Sequence, residues 1–229
     1  MFWELLIMDL KRIKIFNELK SEEIEQIKLI ARKRVYPKGT TIFVKGQKSD
    51  GVYIIYSGQV KISLLHHDGR EKTLAILGEG EILGEVTLYG NELRSTNVEA
   101  LEVTTLLIIS NENFHLLLQS IPTLSTKIIE LLSNRLRHSS QLVEELTFFD
   151  ARKRVICSLI YLSSEKGIKI GNETHIIIPL THSELAKLAG VTRETTTKVL
   201  NELQNKKLIK IDNKTIRIAD NSTLNDQLF

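Results

Sequence analysis

The hydrophobic and polar positions divide the chain into a strand-rich first part and a helical second part. A helix signal at Ser21, read as a serine cap before Glu22 and Glu23, is followed by short β-branched and aromatic runs separated by turn residues. The runs recur about every ten residues and include RVYPKGTTIFVKG, GVYIIYSGQVKISLL and REKTLAILG. This spacing is typical of an antiparallel barrel or sandwich. Residues 1–110 are therefore predicted to form a β-rich domain that ends with the strand LEVTTLLII.

A long helix is predicted over residues 111–149, which contain no glycine and one proline, Pro122, near a helix start. Spacings of three and four residues form a coiled-coil seam through Ile129, Leu132, Leu136, Ser139, Val143 and Leu146. Such a seam predicts a partner helix, with packing on the chain's own barrel as the alternative. Ser139 interrupts the apolar seam and Ser140 follows it, which indicates that something polar is held there.

Residues 150–229 show the pattern of a DNA-binding helix pair. A basic helix, ARKRVICSLIYLSSEK, is followed by a polar stretch and a short strand, HIIIPL. The next helix opens with a capping box of Thr181 and Glu184 and closes at Gly190, and a second helix opens at Thr192. Two short helices joined by a glycine-containing turn predict a helix-turn-helix. The runs LIKID and KTIRIA predict a hairpin that forms the wing.

Composition and charge favour a two-domain protein that binds nucleic acid. At 229 residues the chain exceeds the usual size of one domain, about 100–200 residues. Residues 1–150 carry 18 Lys/Arg against 20 Asp/Glu, whereas residues 151–229 carry 13 against 8. A positive excess in one domain suits DNA, because neutralised phosphates release counterions, although a basic soluble surface is the alternative.

Cys157 is the only cysteine, which excludes an internal disulfide and a cysteine-ligated iron-sulfur cluster within one chain and fits a reducing cytoplasm. The opening MFWELLIM contains Glu4, lacks a basic start and is shorter than the ~20 residues of a membrane helix. We expect it to pack as an arm on the body of the protein or on a partner, and we expect no membrane partner.

The segment Leu77 to Thr96, LGEGEILGEVTLYGNELRST, combines groups suited to a nucleotide. The carboxylate of Glu85, after Gly84, suits a ribose hydroxyl, while Arg94 beside small hydroxyls and backbone N–H groups suits a phosphate. A surface ion pair between the two is the alternative.

This arrangement resembles the phosphate-binding cassette of cyclic-nucleotide-binding domains, and the resemblance to the CRP/FNR family of bacterial regulators extends over nearly the whole chain. The matching segments include IFVKG, YIIYSGQV, TFFDARKRV and the helix-turn-helix. The family fold is α+β, with a jelly-roll nucleotide-binding barrel, a long dimerisation helix and a winged helix-turn-helix. The resemblance implies that Glu85 and the Gly84 backbone bind the ribose hydroxyl, and that Arg94, Ser95 and the Thr96 amide bind the cyclic phosphate.

The resemblance also favours cAMP as the effector. Ser139 and Ser140 stand where cAMP-responsive members place Thr-Ser to contact adenine from both subunits. Serine at 139 keeps the hydroxyl but loses a methyl group. Arg135 matches a family arginine that lines the pocket, with an intersubunit salt bridge as its alternative role.

The predicted recognition helix begins VTRETTTKVL. Arg193 can bond guanine O6 and N7, and Glu194 can accept a hydrogen bond from cytosine. The family's Arg-Glu-Arg pattern implies a TGTGA-like half-site, but Lys198 stands at the third position and lacks the planar guanidinium fork. The candidate phosphate contacts, which are also candidate helix caps, are Thr181, Thr192 and Thr195.

The expected partners are double-stranded DNA, a second copy of the chain and RNA polymerase, with a polymerase contact in SEKGIKIGNETH as one option. No catalytic group, metal site or βαβ dinucleotide motif is expected, and haem ligation by His115 or His138 is a minor alternative. The rival functions are a family regulator with a different effector or none, and a cyclic-nucleotide-binding subunit of a partner enzyme. Target genes, and activation against repression, are not encoded in these patterns.

Overall fold

The computed structural model describes residues 8–88, 93–170, 173–176, 181–212, 215–219 and 221–228. The chain separates into two compact units. The first comprises Met1–Gly69 and Leu74–Arg137, and the second comprises Arg70–Thr73 and His138–Phe229. Most of the apolar N-terminal arm, and residues 177–180 of the predicted strand HIIIPL, lie outside the described residues.

The first unit contains two antiparallel sheets with the strand orders β1-β8-β3-β6 and β2-β7-β4-β5. Their bounds are β1 (Arg32–Tyr36), β2 (Thr41–Phe43), β3 (Val52–Ser57), β4 (Val60–Leu65), β5 (Glu71–Leu77), β6 (Ile82–Leu83), β7 (Asn97–Ala100) and β8 (Thr104–Ile109). Alternation of half-buried and buried positions, as in β7, turns one face of each sheet inward. The inward faces supply a core that includes Phe43, Ile55, Leu83 and Leu106. The predicted jelly-roll architecture is confirmed.

Helices pack against this sandwich through a second apolar cluster. They are α1 (Ser21–Ile30), α2 (Asn111–Ser120) and the long α3 (Pro122–Phe148), of which the part up to Arg137 belongs to this unit. Phe114 and Leu117 of α2 share this cluster with Leu124 and Ile128 of α3. The predicted serine cap of α1 is wrong by one position: Lys20 is the N-cap, and its backbone N–H donates to the Glu23 carboxylate.

The second unit contains the end of α3 and a helical domain with a four-stranded sheet. Its elements are α4 (Ala151–Lys166), β9 (Gly167–Ile170), β10 (Glu173–Ile176), α5 (His182–Ala189), α6 (Arg193–Asn205), β11 (Ile209–Asp212), β12 (Thr215–Ile218) and α7 (Asn221–Asn225). The sheet order is β11-β12-β10-β9. Val155, Leu159, Leu185, Leu200 and Leu203 are among the side chains that form its core.

The helix-turn-helix and wing agree with the sequence pattern. Thr181 and Glu184 form the predicted capping box, Gly190 ends α5 with a left-handed φ of 66°, and the Thr192 side chain caps α6. The polar stretch after α4 differs from expectation, because Gly167–Ile170 forms strand β9 and pairs with β10. Pairing with a neighbouring strand satisfies backbone groups that the local pattern alone leaves open.

Candidate functional site

The turn after β6 brings the nucleotide-like cassette to the end of the first sheet. Gly84 has a φ of 86° and precedes a single 3-10 turn, Glu85–Thr87. A Cβ atom at Gly84 would collide with the guanidinium of Arg94 and lie 3.1 Å from the carbonyl oxygen of Gly51. Both the backbone conformation and the close approach therefore require glycine here.

The carboxylate of Glu85 is buried, with only 3% of the residue exposed. One oxygen, Oε1, accepts a hydrogen bond from Arg135, whose guanidinium also donates to the carbonyl of Ile82. Among the described residues, the second oxygen, Oε2, has no hydrogen-bond partner. Because an unpaired buried acceptor is costly, Oε2 is suited to accept a hydrogen bond from a ligand hydroxyl. The ion pair with Glu85 lies within one chain, unlike the intersubunit bridge considered for Arg135.

Arg94 is also buried, at 2% exposure, and is anchored by the loop between β2 and β3. Its backbone N–H donates to the Gln47 carbonyl at 2.8 Å, and its own carbonyl accepts from Gly46 N–H at 2.8 Å. Its Nη2 donates to Asp50 Oδ1 at 2.7 Å and to the Gly51 carbonyl at 2.8 Å. The arginine is therefore held by residues more than 40 positions earlier in the chain.

Two aromatic rings and an acidic side chain complete the surroundings of Arg94. The guanidinium carbon lies 4.2 Å from the centre of the Phe43 ring and 5.2 Å from that of Tyr53. The Tyr53 hydroxyl donates to Asp50 at 2.8 Å, and burial, with this hydrogen bond, raises the pKa of Tyr53. The Nε atom of Arg94 has no hydrogen-bond partner within the described part of the chain. An unpaired buried donor leaves the arginine able to bind an anion.

The pairing of β3 with β6 explains why these residues meet. Tyr53 is opposite Leu83 and Ile54 is opposite Ile82 in an antiparallel register. The residues before β3, including Asp50, therefore lie beside the turn that follows β6. Sequence reasoning missed Asp50, Gly51, Phe43 and Tyr53, since no local spacing links them to Arg94.

The remaining predicted ligand residues differ in position. Ser95 is exposed and Thr96 is half-buried directly after Arg94. Ser139 and Ser140 are exposed on the part of α3 that belongs to the second unit. Within the first unit, the structure brings together Gly84, Glu85, Arg94 and Arg135.

Two unpaired buried atoms of opposite character belong to this cassette. Glu85 Oε2 is an acceptor suited to a hydroxyl donor, and Arg94 Nε is a cationic donor suited to an anion. A site of this kind can bind and orient a small phosphorylated ligand.

The second candidate surface lies at the N-terminal ends of α5 and α6. Thr181, His182, Ser183 and Arg193 line a common recess. Arg193, Glu194 and Lys198 are exposed on α6. A backbone N–H at the helix start, followed by the Thr192 hydroxyl, lowers the pKa of Glu194, so this side chain is an anionic acceptor at neutral pH.

The predicted threonines act as caps in the structure. The Thr181 hydroxyl accepts from Glu184 N–H at 3.2 Å, and the Thr192 hydroxyl accepts from Thr195 N–H at 3.2 Å. A contact that the sequence did not suggest joins the helices: His182 Nδ1 lies 2.9 Å from the hydroxyl of Thr197. The two caps stabilise the start of each helix, and the contact between His182 and Thr197 joins α6 to the start of α5.

The coiled-coil positions of α3 are exposed in the single chain. The exposed fractions are 64% for Ile129, 39% for Leu132, 70% for Leu136, 63% for Val143 and 48% for Leu146.

None of the described helices is both long enough and apolar enough to cross a membrane.

Comparisons with known proteins match both parts of the chain. Residues 33–120 match the family model of the cyclic nucleotide-binding domain, and residues 153–226 match that of the Crp-like helix-turn-helix domain. The chain is 32% identical over 215 residues to the cyclic AMP receptor protein of Thermus thermophilus, covering 94% of this chain and 96% of that one.

Solved structures show the same fold. The c-di-GMP-responsive regulator CLP of Xanthomonas campestris is 29% identical, with a TM-score of 0.75, over 87% of this chain and 99% of that one. A CooA mutant from Carboxydothermus hydrogenoformans aligns with a TM-score of 0.79 at 23% identity, covering 98% of this chain and 99% of the other. The likeness to CooA concerns the fold alone.

Proposed function

The chain belongs to the CRP/FNR family of bacterial transcription regulators, and from this premise we propose that it is a cAMP-gated homodimer that binds a palindromic, TGTGA-like operator. It is a DNA-binding regulator with a cyclic-nucleotide-binding domain, and it is not an enzyme.

One observation carries the effector proposal: a buried carboxylate and a buried guanidinium each retain an unpaired polar atom. Glu85 Oε2 and Arg94 Nε have no partner among the described residues. A ribose hydroxyl and a cyclic phosphate would supply the missing donor and acceptor. If Glu85 and Arg94 only formed structural ion pairs, leaving an unpaired buried polar atom on each of them would be unfavourable.

Adenine is the proposed base because of two serines on α3, the seam residue Ser139 and its neighbour Ser140. Ser139 and Ser140 stand where cAMP-responsive family members place Thr-Ser, and both are exposed in the single chain. The relative from Thermus thermophilus carries the name cyclic AMP receptor protein, which supports the same effector. The methyl group absent from Ser139 reduces apolar contact with a base.

A homodimer is proposed because α3 exposes large aliphatic side chains at coiled-coil spacing. Leu136, at 70% exposure, and Val143, at 63%, are typical of positions covered by a partner helix. Paired α3 helices would place two recognition helices one DNA turn, about 34 Å, apart, which predicts an inverted-repeat operator. Cyclic AMP at the seam would favour one helix arrangement and, through the hinge at residues 148–150, one arrangement of the DNA-binding domains.

We also propose RNA polymerase as a partner and the cytoplasm as the location of the protein.

Isothermal titration calorimetry with cAMP tests the effector. We expect Arg94→Ala to weaken binding about 10- to 150-fold, since a charge-assisted hydrogen bond contributes about 1.5–3 kcal/mol. Arg32→Ala, which removes an exposed arginine from β1, is the matched control and should bind normally. Absence of binding by the wild type, or equal binding by Arg94→Ala, contradicts the proposal.

Electrophoretic mobility shifts on a TGTGA-containing palindrome test the DNA site. Cyclic AMP should raise the affinity of the wild type. Arg193→Ala should weaken binding about 5- to 150-fold, because a bidentate arginine–guanine contact discriminates by about 1–3 kcal/mol. The same substitution should matter less on a scrambled duplex, and Arg32→Ala should have little effect on either. An equal loss of affinity on both duplexes in Arg193→Ala would remove the base-reading role of Arg193.

A different effector is the second candidate, favoured by serine at position 139. CLP, a c-di-GMP-responsive regulator, shares 29% identity with this chain. Mass spectrometry of ligand co-purified with the protein, followed by calorimetry with cAMP, cGMP and c-di-GMP, separates the candidates. If cGMP or c-di-GMP binds more tightly than cAMP, that nucleotide replaces cAMP as the proposed effector.

A further inference from the structure

A three-residue segment between β2 and β3, residues 49–51, touches both the cassette arginine and the start of α2; we call it the coupling segment. On the cassette side, Asp50 and the Gly51 carbonyl accept the two short hydrogen bonds of Arg94 Nη2, at 2.7 and 2.8 Å. Ser49, the first residue of the segment, is 8% exposed. The coupling segment is therefore a direct support of the buried arginine.

On its other side the coupling segment is held against the end of β8 and the first residue of α2. Asn111 Nδ2 donates to Ser49 Oγ at 3.1 Å and to the Ser49 carbonyl at 3.4 Å. A Cβ atom at Gly51 would lie 3.0 Å from the carbonyl carbon of Ile109 and 3.2 Å from Cα of Ser110. The coupling segment and the residues that lead into α2 are therefore in close backbone contact, with no room for a side chain between them.

Thr87 links the cassette turn to the same serine. Its hydroxyl oxygen lies 2.8 Å from Ser49 Oγ, 2.9 Å from the Gly84 carbonyl and 3.4 Å from Arg94 Nη1. A hydroxyl carries one hydrogen and can also accept. Thr87 therefore either donates to Gly84 and accepts from the Ser49 hydroxyl, or donates to Ser49, whose hydroxyl then donates to Asn111 Oδ1 at 3.5 Å. Because Thr87 is only 6% exposed, water does not readily replace either partner. The hydroxyl therefore has two discrete arrangements.

We infer that Thr87, Ser49 and Asn111 form a polar link through which an anion bound at Arg94 biases the position of α2. An anion draws hydrogen bonds of Arg94 towards itself and changes which acceptor the Thr87 hydroxyl serves. Ser49 and Asn111 carry this change to the first turn of α2. These are positioning residues, since none of the three is assigned a ligand contact.

The packing of α2 extends the effect to α3. Phe114 and Leu117 of α2 are buried in the same cluster as Leu124 and Ile128, in the first turns of α3. A shift of α2 is therefore transmitted to the helix that carries the dimer seam, because a close-packed core transmits displacements. The consequence for DNA binding rests on the proposed function; the link between Arg94 and α2 does not.

The first experiment measures coupling in the full-length protein. Asn111→Ala should reduce the ratio of operator affinities with and without cAMP by about 2- to 10-fold, the equivalent of one net hydrogen bond. The affinity of the DNA-free protein for cAMP should change by less than about two-fold, because no ligand contact is removed. Asn113→Ala, two residues along the same helix, is the matched control. A ratio for Asn111→Ala equal to that of Asn113→Ala would overturn the inference.

The second experiment needs no effector, so it separates failure of this inference from failure of the proposed function. The amide of Phe114 donates to the Ser110 carbonyl at 2.9 Å in the first turn of α2. In ligand-free protein, Thr87→Val should raise hydrogen exchange of this amide about 2- to 10-fold, and Thr87→Ser, which keeps the hydroxyl, should restore the wild-type rate. Gly39→Ala, in an open loop, controls for general destabilisation.

If the wild type proves insensitive to cAMP, the proposed effector is wrong and the exchange measurement decides the inference. Unchanged exchange at Phe114 in Thr87→Val, or an equal rise in Gly39→Ala, overturns the link. A rise that is specific to Thr87→Val and rescued by Thr87→Ser supports it.

Discussion

Substitution of Gly84 by alanine should separate backbone strain from disruption of the anion site. Gly84 and Gly39 both have a positive φ, 86° and 77°, but only at Gly84 would a Cβ atom meet neighbouring atoms. A non-glycine residue in the left-handed region costs about 1–2 kcal/mol. Gly39→Ala should therefore lower the free energy of unfolding by about that amount and leave ligand binding unchanged.

Gly84→Ala adds a second effect, because its Cβ would occupy the place of the Arg94 guanidinium. Displacing that group loses the short bonds to Asp50 and Gly51, and hydrogen bonds to a charged group are worth about 1.5–3 kcal/mol. Adding one contribution of this size to the backbone cost, we expect Gly84→Ala to lower the free energy of unfolding by about 2.5–5 kcal/mol in total. Its affinity for cAMP should fall at least about ten-fold, because Arg94 is no longer placed.

Urea denaturation followed by circular dichroism measures the loss of stability in both variants. Calorimetry with cAMP below the unfolding transition measures the loss of affinity. Stability losses that are equal in the two variants would refute the collision with Arg94. Normal cAMP binding by Gly84→Ala would refute the role of the buried arginine. Because the stability comparison requires no effector, it tests the geometry independently of ligand identity.

Three further predictions concern exposure and titration. Leu136→Glu should convert the proposed dimer to a monomer in analytical ultracentrifugation, because it places a charge at a seam position whose side chain is 70% exposed in one chain. Leu116→Glu, exposed on α2 outside the seam, should leave the proposed dimer intact. Burial, then the Glu145 carboxylate, raises the pKa of Cys157 to about 12. Iodoacetamide at pH 8 should therefore alkylate the folded protein about 100-fold more slowly than the urea-unfolded chain. Equal rates of alkylation would exclude the raised pKa. Burial lowers the pKa of His138 below 6.5, so the unfolded chain binds the proton more readily than the folded protein. The free energy of unfolding should therefore fall as the pH drops below 6.5. His138→Gln, measured by urea denaturation at pH 5 and 7.5, should weaken this pH dependence.

Several elements could be predicted from local pattern because the forces that form them are local. The capping box of Thr181 and Glu184, the left-handed Gly190 and the Thr192 cap depend on residues three or four positions apart, and the structure contains all three. The aliphatic seam of α3 was likewise visible as a helical period. Strand β9 was missed because GIKI is short, and its pairing with β10 is not encoded by its own pattern.

The candidate site shows the same division. The sequence selected Glu85, Arg94 and Arg135 through resemblance to a family cassette, but it could not show that Glu85 and Arg135 form an ion pair across 50 residues. It also missed Asp50 and Tyr53, whose contacts with Arg94 cross a similar distance in the chain.

By itself, the sequence determined the caps of α5 and α6, the strand-rich and helical halves, and the residue types available for a nucleotide and for DNA. Periodicity and capping depend on neighbours within a turn or two, so they are legible along the chain. Only the tertiary structure decided which polar groups are buried, which are satisfied and which remain open. The antiparallel register of β3 against β6 places Asp50 and Gly51 beside Gly84, and it thereby surrounds Arg94 with acceptors. Such a register results from packing of the whole sandwich, which no short segment of sequence contains.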